Sequence, residues 1–73
     1  MLELFGTPGC HYTADLRDDL EFDGRAFVEH DVEDDRDALD RMLAITDGQR
    51  TVPVLVEDGA VVQIGVGGRG CAV

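Results

Sequence analysis

Apolar and polar positions at the start of the chain follow two different periods. Residues 2–6 are mostly apolar, and this short run predicts a buried strand. From Cys10 onward the less polar side chains recur every three or four residues, with acids between them, which predicts a helix over residues 10–23. Its inward-facing side chains are Thr13, Leu16 and Leu20. Gly24 is a typical helix stop.

The middle of the chain repeats this order of a strand followed by a helix. Residues 25–32 carry three large apolar side chains and predict a second strand. Either Asp34 or Asp35 can accept hydrogen bonds from the first turn of a second helix, which Gly48 ends. One face of that helix would carry Leu39, Met42, Leu43 and Thr46.

Two apolar runs in the last third of the chain predict an antiparallel hairpin. Residues 52–56 and 60–64 both have the composition of strands. Asp58-Gly59 lies between them, and this dipeptide is favoured in tight hairpin turns. The last two strands are therefore expected to pair with each other.

The elements follow one another in the order β-α-β-α-β-β. A helix crosses between the first two strands, so these must run parallel, and the sheet must be mixed. We expect a single α/β domain over residues 1–73. Residues 66–73 include three glycines and have neither the length nor the pattern of a helix, which predicts a flexible, glycine-rich tail.

The chain is strongly acidic. Sixteen acidic residues oppose six arginines, lysine is absent, and the formal net charge is −10. This charge argues against nucleic acid or an anionic membrane as a partner. The longest apolar run, residues 52–56, contains a proline and is far too short to cross a bilayer. Met1 leads directly into the first predicted strand, which leaves no room for a signal peptide, so we expect a cytoplasmic protein.

Cys10 lies where the first strand meets the first helix, and this position suggests a chemical role for its thiol. The unpaired N–H groups and the dipole of a helix start stabilise a thiolate, so we predict an exposed nucleophile rather than a buried structural thiol. In the cytoplasm, two cysteines are expected to be redox-active or metal-binding. The cysteines and histidines do not occur at zinc-ligand spacing, and His30 is predicted to be a surface residue, so no metal ligands are assigned.

Several short motifs along the chain carry a family resemblance. In order, they are Cys10-His11-Tyr12-Thr13, Asp31-Val32, Arg50-Thr51-Val52-Pro53, Asp58-Gly59 and Ile64-Gly65. This series resembles the glutaredoxin family. The resemblance implies a thioredoxin-like fold with a four-stranded mixed sheet, here without the C-terminal helix of the family. More narrowly, Gly9-Cys10, Thr13 and Gly67-Gly68-Arg69-Gly70-Cys71 are similar to the UXX-star group of bacterial glutaredoxin-like proteins and selenoproteins.

The resemblance implies a role for each residue around the thiol. Cys10 is the nucleophile, and Tyr12 flanks the bound thiol. The Thr13 hydroxyl either donates a hydrogen bond to the Cys10 thiolate or packs against the strand. Pro53 is cis, which leaves the backbone of Val52 free to pair with an extended glutathione or peptide disulfide.

The same resemblance identifies residues that bind glutathione. Arg50 would bind a glutathione carboxylate, Thr51 belongs to the same segment, and Gly65 lies near the γ-glutamyl end. Three departures from the family pattern concern glutathione affinity rather than thiol chemistry. Thr7 replaces a lysine, Val66 replaces the second glycine of a pair, and the third helix is missing.

We therefore predict a glutaredoxin-type thiol–disulfide oxidoreductase that acts on glutathione or a protein disulfide. It would use glutathione as co-substrate and hold no bound cofactor. Cys10 attacks a disulfide, and glutathione or Cys71 resolves the intermediate. Peroxide reduction through a sulfenic acid is a variant of this reaction. Cys71 is expected to form a disulfide with Cys10, since in this fold the last strand ends beside the nucleophile. The alternative is that Cys71 is a thiol of the tail without a role.

Two further possibilities follow from the same sequence. The chain could instead be a non-enzymatic binding module, either an iron–sulfur or metal carrier or a protein-interaction domain. The missing helix would also leave apolar side chains of residues 54–56 and 61–64 partly uncovered. Such a strip is usually buried by association, which predicts a homodimer or a tail folded over the strip.

Overall fold

The computed structural model describes residues 1–73 and contains two helices and six strands. In chain order these are β1 (Leu2–Gly6), α1 (His11–Phe22), β2 (Val28–Asp31), α2 (Arg36–Ile45), β3 (Thr51–Val52), β4 (Val54–Glu57), β5 (Ala60–Ile64) and β6 (Cys71–Ala72). The main sheet has the order β2-β1-β4-β5, and β3 pairs with β6 in a separate two-stranded sheet. No helix has the length and apolar character needed to cross a membrane.

The main sheet is mixed, as the order of elements predicted. β1 and β2 are parallel, with Glu3 opposite Val28. β4 is antiparallel to both of its neighbours, β1 and β5. Asp58 and Gly59 form the turn of the β4–β5 hairpin, and both have positive φ angles. The α/β order and the four-stranded mixed sheet are therefore confirmed, and residues 66–73 contain no helix.

Alternate residues of β1 face two separate hydrophobic clusters. Leu2 and Leu4 pack on one side of the sheet with Leu16 and Leu20 of α1 and with Leu55. Phe5 packs on the other side, in a cluster that also contains Cys10, Val32, Ala38, Met42, Val52, Val54 and Val56. The two helices thus cover opposite faces, because successive side chains of a strand point in opposite directions.

Two strands are shorter than the sequence pattern indicated. The second begins at Val28 rather than at residue 25, because its pairs with β1 begin only at Glu3. The strand predicted over residues 52–56 is divided at Pro53, which has no N–H group to donate to a ladder. β3, on the N-terminal side of this proline, consequently lies outside the main sheet.

The C-terminal residues contain a strand that the sequence pattern did not indicate. A tight turn pairs Val66 with Arg69, and β6 then runs antiparallel to β3. This strand does not cover β5, whose Val61 and Val62 are 37% and 58% exposed. Because β4 is buried as far as Val56, the uncovered apolar strip is confined to β5.

Candidate functional site

Cys10 is the N-cap of α1, at the end of the loop that follows β1. Its backbone is extended, with φ −94° and ψ 113°, and its carbonyl accepts a hydrogen bond from the N–H of Ala14 at 3.2 Å. No side chain caps this helix. No side-chain oxygen therefore competes with the Cys10 sulfur for the free N–H groups of the first turn. This position favours the thiolate form of Cys10 over the thiol.

The Cys10 sulfur forms a disulfide with Cys71, 61 positions along the chain, and the two α-carbons are 6.0 Å apart. The disulfide expected from the resemblance is therefore present. The expectation that Cys10 is exposed is wrong, because only 2% of its surface is accessible. Cys10 belongs to the same buried cluster as Phe5 and Val52, and Cys71 and Val73 of the C-terminal segment are among the residues that pack against this cluster.

The backbone of β3 is paired, where the resemblance implied a free edge. Thr51 lies opposite Ala72, and Val52 lies opposite Cys71. The Val52–Pro53 peptide bond is cis, as expected. The chain thus places its own cysteine-bearing strand against the segment that was predicted to pair with a substrate.

Arg50 also contacts the C-terminal segment. Its Nε donates a hydrogen bond to the main-chain oxygen of Val73, and its own carbonyl accepts one from the N–H of Val73 at 2.8 Å. The side chain predicted to bind a glutathione carboxylate is therefore engaged by the protein itself. This reciprocal pair extends the contact between β3 and β6 by one residue on each strand, at one end of the ladder.

Thr13 is fully buried, and its hydroxyl has no hydrogen-bond partner. It packs against Gly6 of β1, where an added β-carbon would overlap the Thr13 side chain. Of the two alternatives for Thr13, packing against the strand is present in this disulfide-bonded state. Thr13 is the third residue after the N-cap Cys10, and side chains three positions apart are neighbours on a helix surface.

The structure places Tyr12 against the cluster that contains Cys10, and it places Gly65 beside Pro53. Tyr12 is partly buried against the cluster that contains Cys10, and its ring centroid is 3.9 Å from that of the exposed His11. Gly65 donates its N–H to the carbonyl of Pro53 at 2.7 Å and has a φ of +75°. A side chain on Gly65 would meet the carbonyl oxygen of Arg69, so this glycine permits the turn that leads into β6.

Gly70 is a site residue that the sequence analysis missed. An added β-carbon would overlap the carbonyl oxygen of Val52 and the methyl group of Thr51. The residue before Cys71 must therefore be glycine for β6 to approach β3 this closely. The available signal was a glycine directly before the second cysteine, which entered the prediction only through tail flexibility and the similarity to the UXX-star group.

A cluster of charged side chains lies at Glu3, on the face of β1 covered by α2. The carboxylate accepts hydrogen bonds from His30 at 2.8 Å and from Arg41 at 3.1 Å. His30 is partly buried and stacks on Phe5, so the prediction of a surface residue is wrong. Burial by itself would raise the pKa of Glu3, but the hydrogen bonds from His30 and Arg41 outweigh it and hold the pKa below its usual value.

Comparisons with known proteins agree with this geometry. The glutaredoxin family model matches residues 2–62. A crystal structure of the thioredoxin-like protein BC3987 is 31% identical, with a TM-score of 0.78, and the alignment covers 85% of this chain and 84% of that chain. A crystal structure of a mutant of that protein is 30% identical, with a TM-score of 0.78 and coverage of 86% and 80%. No curated protein matches the chain.

These comparisons confirm the thioredoxin-like fold predicted from the motifs. The match to the family model ends at residue 62, before the turn at Val66–Arg69 and before β6. The second cysteine thus lies outside the matched segment. The narrower similarity to the UXX-star group stays a prediction.

Proposed function

Because this chain belongs to the glutaredoxin family and is accordingly a thiol redox protein, we propose that it is a dithiol oxidoreductase whose reactive pair is Cys10 and Cys71. The observation that carries this proposal is the disulfide between them. One partner lies at the start of a helix, where a thiolate is stabilised, and the other lies on a strand outside the main sheet. A disulfide that forms and is reduced in each cycle needs one activated thiol and a second cysteine on a segment that can move away from it.

The first half of the cycle transfers two electrons from the protein to a substrate disulfide. The Cys10 thiolate attacks one substrate sulfur, forms a mixed disulfide and releases the other sulfur as a thiolate. The Cys71 thiolate then attacks the Cys10 sulfur and releases the second substrate thiolate. The substrate disulfide becomes two thiols, and the protein dithiol becomes the Cys10–Cys71 disulfide.

Thr13 has a role in the reduced state under this proposal. Its hydroxyl is an unpaired buried donor while the disulfide is closed. A Cys10 thiolate, three positions earlier in the chain, would supply the missing acceptor, since a buried hydroxyl gains stability from any partner it finds. The orphaned hydroxyl therefore disfavours the oxidised protein relative to the reduced one, which favours the second half of the cycle, in which a thiol reduces the Cys10–Cys71 disulfide.

The second half of the cycle restores the dithiol with two equivalents of a low-molecular-weight thiol, for which glutathione is the expected reductant. The incoming thiolate attacks Cys71 rather than Cys10. Cys71 is the more accessible residue, because it is only partly buried whereas Cys10 is 2% exposed. The Cys10 thiolate is also the better leaving group, because its position at the helix start stabilises the anion. A second thiol then reduces the mixed disulfide on Cys71.

Steady-state turnover of a mixed disulfide, with glutathione as reductant, tests the proposed function. Cys10→Ser is expected to abolish turnover, and Cys71→Ser to reduce it by at least about tenfold, because the resolving thiolate is lost. Intact-mass analysis after mild oxidation should show a loss of two hydrogen atoms in the wild-type chain and in neither variant, because disulfide formation removes two protons and two electrons. The matched control is Val62→Ala, a truncation on the far edge strand, which should leave turnover unchanged.

Two results would overturn the proposal. Unchanged turnover in Cys71→Ser would remove Cys71 from the cycle. Wild-type protein that turns over no disulfide, but is coloured when freshly purified, would favour the iron–sulfur carrier instead.

Peroxide consumption is measured in the same assay, with hydrogen peroxide replacing the disulfide, and it should depend on Cys10 to the same degree.

A further inference from the structure

The structure contains one example of a cysteine-bearing strand bound at Cys10, namely residues 70–73 of the chain itself. This segment, here called the C-terminal strand, presents Cys71 to Cys10 and pairs its backbone with β3. Its contacts therefore describe what the surface beside Cys10 accepts. Three of them depend on the backbone or on the absence of a side chain, so another chain could reproduce them.

The first contact restricts the residue before the cysteine. The α-carbon of Gly70 lies so close to the carbonyl oxygen of Val52 that a β-carbon would overlap it. The obstructing atom belongs to the backbone of β3, which cannot move aside as a flexible side chain could. Only a residue without a β-carbon fits this position while the next residue stays bonded to Cys10.

The second contact is the antiparallel register itself. Val52 lies opposite Cys71, and Thr51 lies opposite Ala72. Pairing of this kind recognises an extended backbone without regard to its sequence, because main-chain groups form the ladder. It therefore requires a strand that continues beyond the cysteine.

The third contact is the reciprocal pair between Arg50 and Val73, two residues after the cysteine. The N–H of Val73 donates to the carbonyl of Arg50, and the Nε of Arg50 donates to the main-chain oxygen of Val73. Glutathione has one residue after its cysteine, so it cannot supply both partners at this position. A longer peptide supplies both.

We propose that the edge formed by residues 50–52 selects peptide disulfides of the form Gly-Cys-x-x over other extended peptides and over glutathione, and that the C-terminal strand occupies this edge in competition with them. This inference rests on the proposed function and specifies its substrate class. A substrate protein must first displace the C-terminal strand and then pair with β3 while Cys10 attacks its disulfide. The C-terminal strand returns as Cys71 resolves the mixed disulfide, so that the same event breaks the covalent bond to the substrate and displaces its backbone.

Three chromogenic mixed disulfides with thionitrobenzoate test the specificity. The thiol component is blocked Gly-Cys-Ala-Val, blocked Val-Cys-Ala-Val or glutathione, and the protein is the full-length Cys71→Ser chain. We expect the glycine peptide to react with Cys10 at least about tenfold faster than the valine peptide, and several-fold faster than glutathione. Equal rates for the two peptides would overturn the proposal. Faster reaction with glutathione than with the glycine peptide would overturn the choice of peptides as the substrate class.

The competition is tested by Gly70→Ala, which should have opposite effects in two backgrounds. With Cys71 present, it should lower the equilibrium constant of the Cys10–Cys71 disulfide about tenfold in a glutathione buffer, because the C-terminal strand no longer fits. In the Cys71→Ser background, it should increase the rate with the glycine peptide several-fold, because the competing strand is weakened. The control is Gly24→Ala, a glycine of positive φ with no neighbouring atoms, which should lower stability without changing either reaction.

The outcomes separate this inference from the proposed function. If Cys10 of the Cys71→Ser, Gly70→Ala double variant does not react even with the small reagent dithiobisnitrobenzoate, the proposed function fails. If it reacts with that reagent but Gly70→Ala changes neither reaction, or changes both in the same direction, the shared binding site is wrong. The peptide comparison stands by itself if Gly70→Ala does not fold, because it uses no Gly70 variant.

Discussion

Thr13 and Gly6 fit against each other so closely that a β-carbon on Gly6 would overlap the methyl and hydroxyl groups of Thr13. The contact joins the first turn of α1 to the end of β1, on either side of the loop that ends in Cys10. The position of the reactive sulfur thus depends on the absence of a side chain four residues before it. This dependence is open to direct measurement.

Gly6→Ala is expected to lower the free energy of unfolding by about 1–3 kcal/mol, because an overpacked contact forces its neighbours to move. Gly9→Ala is the matched control, since an added carbon there has no atom within 4 Å. It should change the stability by less than about 0.5 kcal/mol. Urea unfolding of the oxidised protein measures both variants, and equal effects would show that the contact tolerates the extra carbon.

Thr13→Val should affect the oxidised and reduced proteins in opposite directions. Valine keeps the shape of threonine and removes an unpaired buried hydroxyl, so the oxidised protein should gain up to about 1 kcal/mol of stability. In the reduced protein the same change removes a hydrogen-bond donor to the thiolate. The pH midpoint of Cys10 alkylation should therefore move upward. A midpoint that does not move would leave Thr13 with a packing role alone.

Glu3 should make the free energy of unfolding depend on pH. Its pKa is lowered in the folded protein, so its contribution to stability is fully present above about pH 4.5 and is lost as the pH falls through the folded pKa. Glu3→Gln is expected to cost about 1–3 kcal/mol at pH 7, because His30 and Arg41 lose a charged partner. This difference should shrink in acid. Glu57→Gln, at an exposed pair with Arg25, should cost less than about 1 kcal/mol at either pH.

The reducing thiol should form its first bond with Cys71. Oxidised protein is mixed with glutathione and quenched early with excess iodoacetamide, which captures whichever protein thiolate has been released. Peptide mapping should show alkylated Cys10 together with glutathionylated Cys71, by roughly ten to one over the reverse pattern, a ratio that corresponds to about 1.4 kcal/mol. A predominance of glutathionylated Cys10 would contradict both the accessibility argument and the leaving-group argument.

The exposed side of β5 predicts a homodimer. β5 is an edge strand of the main sheet, and its Val61 and Val62 are exposed. An edge with apolar side chains and unpaired main-chain groups favours pairing with a second copy. Val62→Lys should prevent this association, since charged residues protect strand edges. Light scattering at micromolar concentrations measures the wild-type protein and the Val62→Lys variant. A monomeric wild-type protein would rule out the dimer in that concentration range.

Local patterns in the sequence were sufficient for most elements of this fold. Helical spacing predicted α1 and α2, and Asp35, one of two predicted caps, accepts a hydrogen bond from the N–H of Ala38 at 3.2 Å. Asp58-Gly59 indicated the hairpin between β4 and β5. The sequence pattern also predicted the position of Cys10 at the junction of β1 and α1. These features depend on residues within one or two turns of each other, where periodicity and turn preferences act.

The environment of the reactive sulfur depended on contacts between distant parts of the chain. β6 has only two residues, too few for a periodic signal, and it forms because β3 offers an unpaired edge about 20 residues earlier. The engagement of Arg50 and the need for glycine at residue 70 result from that pairing. The burial of Cys10 in turn involves residues from several distant elements. The partners of Glu3 likewise come from β2 and α2. Such contacts join elements far apart in sequence, so only the folded chain decides which groups meet.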